Sequence, residues 1–483
     1  MKRHIRKKQA LALFCLCVFV GHSGTAAASS DYTTANNVFH LHFLDEGETD
    51  PSDEDETSTY TLSAFHKQSI ALTAERWSYI LRDGKRMPLH ILVSTEDDRN
   101  AFGGTFISKD LPREDGIYPT LSYTMLMTET PSSQKYGGFM YIGKEMFPPT
   151  APETDLWTPL PQEDTPSLHP NAFHEFGHVM GMVGSVDLTR SQFRPVLSAF
   201  QRFLYDHRGV RAKPDLAIKT DNYRPDSDEY FDLPGFAINL DGRLRLPYFY
   251  GPEVARVLAG EQLKTYDAFG RPIEQRVPGV PLNGNEGWPG QDYLDGIPHS
   301  ELRNSLMSHQ WWRNYNTFME LELAIFQDLG YSIDRRDFFG RSIYGDDQEV
   351  YNTAPYAART ADHTGYIRGA YSRTPWGMGL HIYGSRNRVT QAADLLTEGA
   401  AAVGIRVDGV KNEVDVAGGT TIRADGKNGN GLLVAYGRDH RLTLRPDSRV
   451  TALGRGGIGA AFDFGKNIMG KDEGLRASYA TFS

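Results

Sequence analysis

Phe173-His174-Glu175-Phe176-Gly177-His178-Val179-Met180-Gly181-Met182 contains the pattern H-E-x-x-H. On a helix, residues four apart share a face about one turn apart, so His174 and His178 can aim two imidazoles at one ion. Glu175 lies beside them, placed to work on a metal-bound water as general base rather than to bind the metal. Read alone, the five residues also fit an amphipathic helix with two surface histidines. Val179, Met180 and Met182 continue an apolar helix, and Gly181 offers a residue that can end it and turn the chain. Catalytic zinc takes three protein ligands and keeps one position open, so the rest of the chain must supply a third.

Gly184 stands where the compact form H-E-x-x-H-x-x-G-x-x-H would place that ligand. The remaining candidates are His207, His299 and His309, or a carboxylate such as Glu253 or Glu320. His207 follows a helix expected over Phe193–Asp206, where a histidine at the C-terminal end is commonly structural. His299 stands in Gly296-Ile297-Pro298-His299-Ser300-Glu301, shortly before Ser305-Leu306-Met307-Ser308. An amphipathic helix is expected over Thr317–Leu329, closed by Gly330-Tyr331.

This ordered set resembles the leishmanolysin-type metzincins. Those share H-E-x-x-H-x-x-G, a long insertion, a lone third histidine, a methionine turn, and a helix ending near D-x-G-aromatic. The matching residues here are His174, Glu175, His178, Gly181, His299, Met307 and Asp328 to Tyr331. Phe249-Tyr250-Gly251-Pro252 resembles an F-x-G-P element of that family's insertion. The resemblance spans Val38 to Tyr331. It implies a zinc endopeptidase with His174, His178 and His299 on Zn2+, Glu175 as general base and Met307 beneath the metal. A methionine turn argues against a carboxylate third ligand. In some metzincins a tyrosine stands two residues past that methionine. By resemblance His309 would be an oxyanion donor or extra ligand; a surface histidine beside Trp311 and Trp312 is the other reading. The chain departs from the family at Ser300, where a Trp is usual, and in lacking the family's disulfides.

Met1 to Ala28 reads as a secretory signal peptide, with a basic start (Lys2, Arg3, Arg6, Lys7, Lys8), an apolar core Leu11–Val20 and small residues at Thr25–Ala28. Both cysteines, Cys15 and Cys17, fall inside it, so the mature chain would have no disulfide. Its removal moves the formal net charge from −10 to −15. So acidic a chain is a poor partner for nucleic acid or anionic lipid. Asp45 to Glu56 reads as a solvated acidic loop, with calcium binding the minor alternative.

The order of elements predicts an α+β catalytic domain over residues 29–343: a twisted mixed sheet plus the HExxH helix, with an insertion at 185–296. Strands are expected at Val38–Leu44, Pro88–Ser94, Gly104–Ser108, Leu121–Thr128 and Gly138–Gly143, and a helix at Thr61–Leu81. His40 and His42 share one strand face. Gly137 to Ile142 is the expected substrate-pairing strand.

Past Tyr344, glycine becomes frequent. Gly379–Gly384, Gly404–Gly409, Gly431–Gly437 and Gly459–Gly465 form a loose repeat with a period in the twenties. Second strands are expected at Glu413–Val416, Thr420–Ala424, Arg441–Leu444 and Arg449–Leu453. This predicts an all-β, right-handed β-solenoid-like domain over 344–483, with an irregular β-sandwich as the alternative. It resembles the β-helical passenger of bacterial autotransporters. That implies a secreted or cell-surface protein, cut short here or served by an outer-membrane translocator outside this sequence. The function implied is a secreted metalloprotease hydrolase acting on protein or peptide. The alternative is a surface adhesin whose metzincin-like domain is inactive.

Overall fold

The computed structural model describes residues 31–462, apart from 51–52, 82–86, 98–100, 109–110, 112–115, 129, 131, 133, 145–167, 185, 188–189, 221–222, 234–245, 267–271, 283–297, 303–304, 309–317 and 354–373. The expected signal peptide, both cysteines and His309 with Trp311 and Trp312 lie outside the described residues.

The alternation around Val38–Leu44 becomes strand Phe39–Phe43. Phe39, Leu41 and Phe43 point into the core, and His40 and His42 point away from it. This strand belongs to a five-stranded sheet ordered Asp31–Thr33, Phe39–Phe43, Leu89–Glu96, Gly138–Gly143, Ala101–Gly104. Its three inner strands are parallel and both outer ones antiparallel. Helix α1 (Ala64–Ile80) starts at Ser63, whose side chain accepts from the His66 amide. Its stripe of Ile70, Ala74 and Trp77 is wholly buried. The Trp77 Nε1–H donates to the Phe173 carbonyl at 3.1 Å, and its ring meets Phe173, Phe318 and Phe326 edge-on. One side chain thus ties α1 to the helix carrying the histidines, α3 (Leu168–Val179), and to α5 (Glu320–Asp328).

Four expectations need correction. Leu121–Thr128 is not a strand: Leu121–Met127 is helix α2, started by Thr120, whose side chain accepts from the Tyr123 amide. Capping outweighed an alternation only a few residues long. The strand expected at Gly104–Ser108 lies earlier, at Ala101–Gly104. Phe193–Asp206 is not a helix. Short strands Gln192–Phe193, Leu197–Ser198 and Leu204–Tyr205 flank a 3-10 turn at Gln201–Phe203, and Pro195 disfavours helical backbone at Arg194 before it. Strand Gly138–Gly143 is paired on both edges, so it cannot accept a substrate strand; the cleft-side edge is Ala101–Gly104. The acidic stretch also folds back on itself, Thr49–Asp50 pairing with Asp53–Thr57.

Two motifs quoted separately from the sequence meet in space. Helix α4 (Pro252–Leu258) begins with Pro at its first turn. Asp328, at the end of α5, accepts from the amides of Glu253 (2.7 Å) and Val254 (3.1 Å) at that turn. A Cβ on Gly251 would overlap the Asp328 carboxylate. Gly-Pro and the Asp of D-x-G-aromatic are therefore halves of one cap.

The C-terminal part stacks three parallel sheets. The first runs Phe339–Ile343, Met378–Ile382, Val403–Val407, Asn430–Val434, Ile458–Phe462; its first strand lies ahead of the boundary expected at 344. The second holds Glu349–Asn352, Arg388–Gln391, Glu413–Val416 and Arg441–Leu444, and the third Leu395–Thr397, Thr421–Ala424 and Arg449–Thr451. Leu380, Ile382, Ile405, Val407, Leu432 and Val434 fill the space between them. Corners repeat in the backbone: Asp347, Arg386, Lys411 and Asp439 all have φ near +60°. Each is followed by a polar residue, and the buried Asn387 and Asn412 satisfy the corner. Gln348 donates its amide to the Asn387 side chain (2.8 Å) and Asn387 its own to that of Asn412 (2.9 Å).

The two parts share one core. Arg76 on α1 lies between the rings of Phe173 (4.0 Å) and Trp376 (4.1 Å). The Tyr344 hydroxyl accepts from the Leu321 amide at the start of α5. Asp346 pairs with Lys264 at 2.6 Å and Arg276 at 3.2 Å.

Candidate metal centre

Helix α3 ends as its sequence suggests. Gly181 takes φ +98°, and the turn brings the Met182 carbonyl back to Nδ1 of His178 at 2.8 Å. Nδ1 of His174 meets the Leu306 carbonyl at 2.7 Å. Each ring therefore holds its hydrogen on Nδ1 and presents an Nε2 lone pair, as metal-ligating histidines do. Both side chains are buried.

His299 completes the set. Its Nε2 lies 3.1 Å from that of His174 and 3.2 Å from that of His178, which are themselves 3.1 Å apart. Three imidazole nitrogens form a near-equilateral triangle. Bonds of about 2.0–2.1 Å from one tetrahedral ion need nitrogens about 3.3 Å apart, so the residues fit a metal with one position left over. Among the described residues this is the one group of three or more ligand-type side chains so placed. His207 lies instead beside Asp232, 3.8 Å away. Glu253 and Glu320, the carboxylate alternatives, both pair with Arg335, at 2.6 and 3.2 Å.

His299 is positioned by the turn Ser305-Leu306-Met307-Ser308. The Ser300 amide donates to the Met307 carbonyl (2.8 Å), and its hydroxyl meets that of Ser305 (3.0 Å). Ser300 is fully buried, which leaves no room for the Trp usual in the resembling family. Met307 is fully buried as well, and a Cβ on Gly177 would overlap its sulfur. The glycine inside H-E-F-G-H thus makes room for the methionine beneath the site. A Cβ on Gly103, in the edge strand, would lie 2.5 Å from the Glu175 carbonyl and 2.8 Å from its Cβ. Edge strand and general-base candidate are in direct backbone contact. Glu175 is 6 % exposed.

Sequence reasoning missed Glu322. From within α5 it accepts from the amides of Met307 (2.6 Å), Met319 (2.8 Å) and Leu306 (3.3 Å). It holds the turn whose Leu306 carbonyl orients His174. Burial pushes its carboxyl up to about 7, against those amides, which pull it down. An acidic residue between Leu321 and Leu323, on a helix otherwise buried, was the available signal. Burial likewise raises Asp328 to about 7.

Compared with protein-family models, curated protein sequences and solved structures, the chain has no significant match to any of them.

Proposed function

We propose that this chain is a zinc-dependent endopeptidase of the metzincin kind, leishmanolysin-like in its motif order. The observation that carries the reading is the Nε2 triangle of His174, His178 and His299, with Glu175 next to the first of them and Met307 packed beneath. All-nitrogen, three-imidazole sites with an open position suit zinc. Bound zinc would supply a water of pKa near 7 instead of about 15.7. Glu175 takes a proton from the attacking water at its carboxylate and returns it to the leaving amine nitrogen. An extended peptide would lie along Ala101–Gly104, whose outer edge is unpaired among the described residues. That strand touches Glu175 through Gly103, so a bound peptide would be held at a fixed distance from the base.

The stacked parallel sheets support the reading of the C-terminal part as a right-handed β-solenoid of the autotransporter-passenger kind. With the signal-like start, this supports a location outside the cell or on a bacterial surface. The test is peptide-library cleavage by the zinc-loaded protein and by Glu175→Gln. Cleavage by the parent is expected, with a loss of about 10²–10⁴-fold in the variant at equal zinc content. A parent that holds zinc yet cleaves nothing would leave the adhesin reading.

A further inference from the structure

The edge strand Ala101–Gly104 leaves the side chain of Phe102 55 % exposed. Gly103 faces α3, where a Cβ would meet the Glu175 backbone. Side chains alternate along a strand, so Phe102 and Gly104 turn to the other face of the sheet. The register partner of Phe102 on the neighbouring strand is Tyr141, and that of Gly104 is Phe139. Gly104 has no side chain, and the Phe139 ring takes the place of one: a Cβ there would lie 2.7 Å from its tip. Phe139 is the centre of a group of rings. Its centroid lies 6.0 Å from that of Phe102, 5.2 Å from that of Phe106 and 5.3 Å from that of Tyr141. This apolar group crosses the last two strands and ends, at Phe102, on the edge that is unpaired among the described residues.

We propose that Phe102 is a specificity-determining residue, and that the substrate is an extended segment with an aromatic or large aliphatic side chain opposite it. The inference rests on the peptide-pairing edge of the endopeptidase reading. Residues directly opposite on paired strands put their side chains on the same face, with Cβ atoms about 4.5–5.5 Å apart. A peptide added to Ala101–Gly104 therefore lays one side chain against the Phe102 ring and extends the row Tyr141, Phe102 by one place. Its two neighbours, opposite Ala101 and Gly103, turn to the face on which Glu175 lies. The ring thus reads one residue and passes over those on either side of it. An apolar side chain at that place removes its own surface and the exposed part of Phe102 from water together, whereas a serine or aspartate there does not. None of the four rings carries a charge, so selection is by apolar area.

The test is a set of peptides with a single variable residue, Phe, Leu, Ser or Asp, walked along the sequence one place at a time. The zinc-loaded full chain should prefer Phe and Leu over Ser by about tenfold in kcat/KM at the place opposite the ring. Phe102→Ser should reduce that ratio to about twofold or less at this place alone, with one zinc retained, and Phe102→Leu should restore most of it. Phe102 is an exposed edge residue, so its loss removes little of the core. The fluorescently labelled Phe and Ser peptides, bound to zinc-loaded Glu175→Gln, should show the same ratio in anisotropy without cleavage. That ratio with no cleavage by the parent would support the Phe102 subsite and remove the endopeptidase reading. Cleavage whose preferences are the same in Phe102→Ser at every place, or equal binding of the Phe and Ser peptides, would overturn the proposal.

Discussion

The part that gathers the three histidines and the stacked part are built on opposite rules of contact. In the first, the decisive neighbours are far apart in the chain: His174 and His299 are 125 residues apart in sequence yet 3.1 Å apart in space. The turn beneath them is gripped by Glu322 from another element. In the second, each strand meets its counterpart one coil away, as when Arg388 pairs with Glu413 and Glu413 with Arg441. Long-range assembly can place unlike groups around one point, which catalysis needs. Coil-to-coil stacking places similar groups in rows, which gives length and rigidity. A substitution at the metal centre should therefore disturb function at several positions together, whereas one in the stack should be felt locally.

Replacing glycine by alanine in each part should expose this difference most. At Gly103 the new Cβ meets Glu175 backbone that cannot swing aside. Gly103→Ala should cost about 1–3 kcal/mol in overpacking. Displacement of the base should also lower kcat/KM by about 10²-fold. Gly419, at a corner of the stack with φ +74°, has nothing within 4 Å of such a Cβ. Gly419→Ala should cost about 1 kcal/mol of left-handed strain and leave kcat/KM unchanged. Thermal unfolding and steady-state kinetics on both variants decide; equal kinetic losses would break the contrast.

The two parts should also answer pH with opposite sign. Burial holds Glu322 and Asp328 near 7, above their ordinary values of 4.5 and 3.8. Each favours the fold in its protonated form, so that contribution is full below about pH 4 and lost as pH rises through about 7. In the stack, burial alone would raise Asp408, but Arg406 and His381 outweigh it and hold it at about 2. Its contribution is present above pH 3.8 and lost as pH falls through about 2. Hydrogen exchange on the metal-free protein should show amides around Leu306 and Met307 less protected at pH 8 than at pH 5.5. Those around Arg406 should be unchanged over that range.

The smallest effect belongs to the charge row of the stack. Arg388 and Glu413 are 3.5 Å apart and largely exposed. Arg388→Ala should cost at most about 0.2–1 kcal/mol, falling with added salt. A larger, salt-independent loss would mean that this row carries more than surface charge.

Much of this contrast was legible in the sequence, for reasons that also differ between the parts. His174, His178 and Gly181 are local features of one helix and its end, so spacing alone gave their arrangement. His299 was reached through resemblance, because nothing local says which distant histidine returns. Glu322 was hidden for the same reason: its partners are backbone amides of a turn in another element. The repeat in glycines anticipated the parallel stack, but not the buried Asn387 and Asn412, since corner polar residues look like ordinary loop residues. Leu121–Met127 and Phe193–Asp206 were misread because short patterns yield to a capping threonine and to a proline.

The central claim is that three histidines drawn from two distant stretches hold one zinc. Elemental analysis of the purified protein, beside His299→Ala, tests it most directly. The account predicts one zinc per chain in the parent and much weaker retention in the variant. Zinc held equally well by both, or no zinc in the parent even after it is supplied, would contradict it.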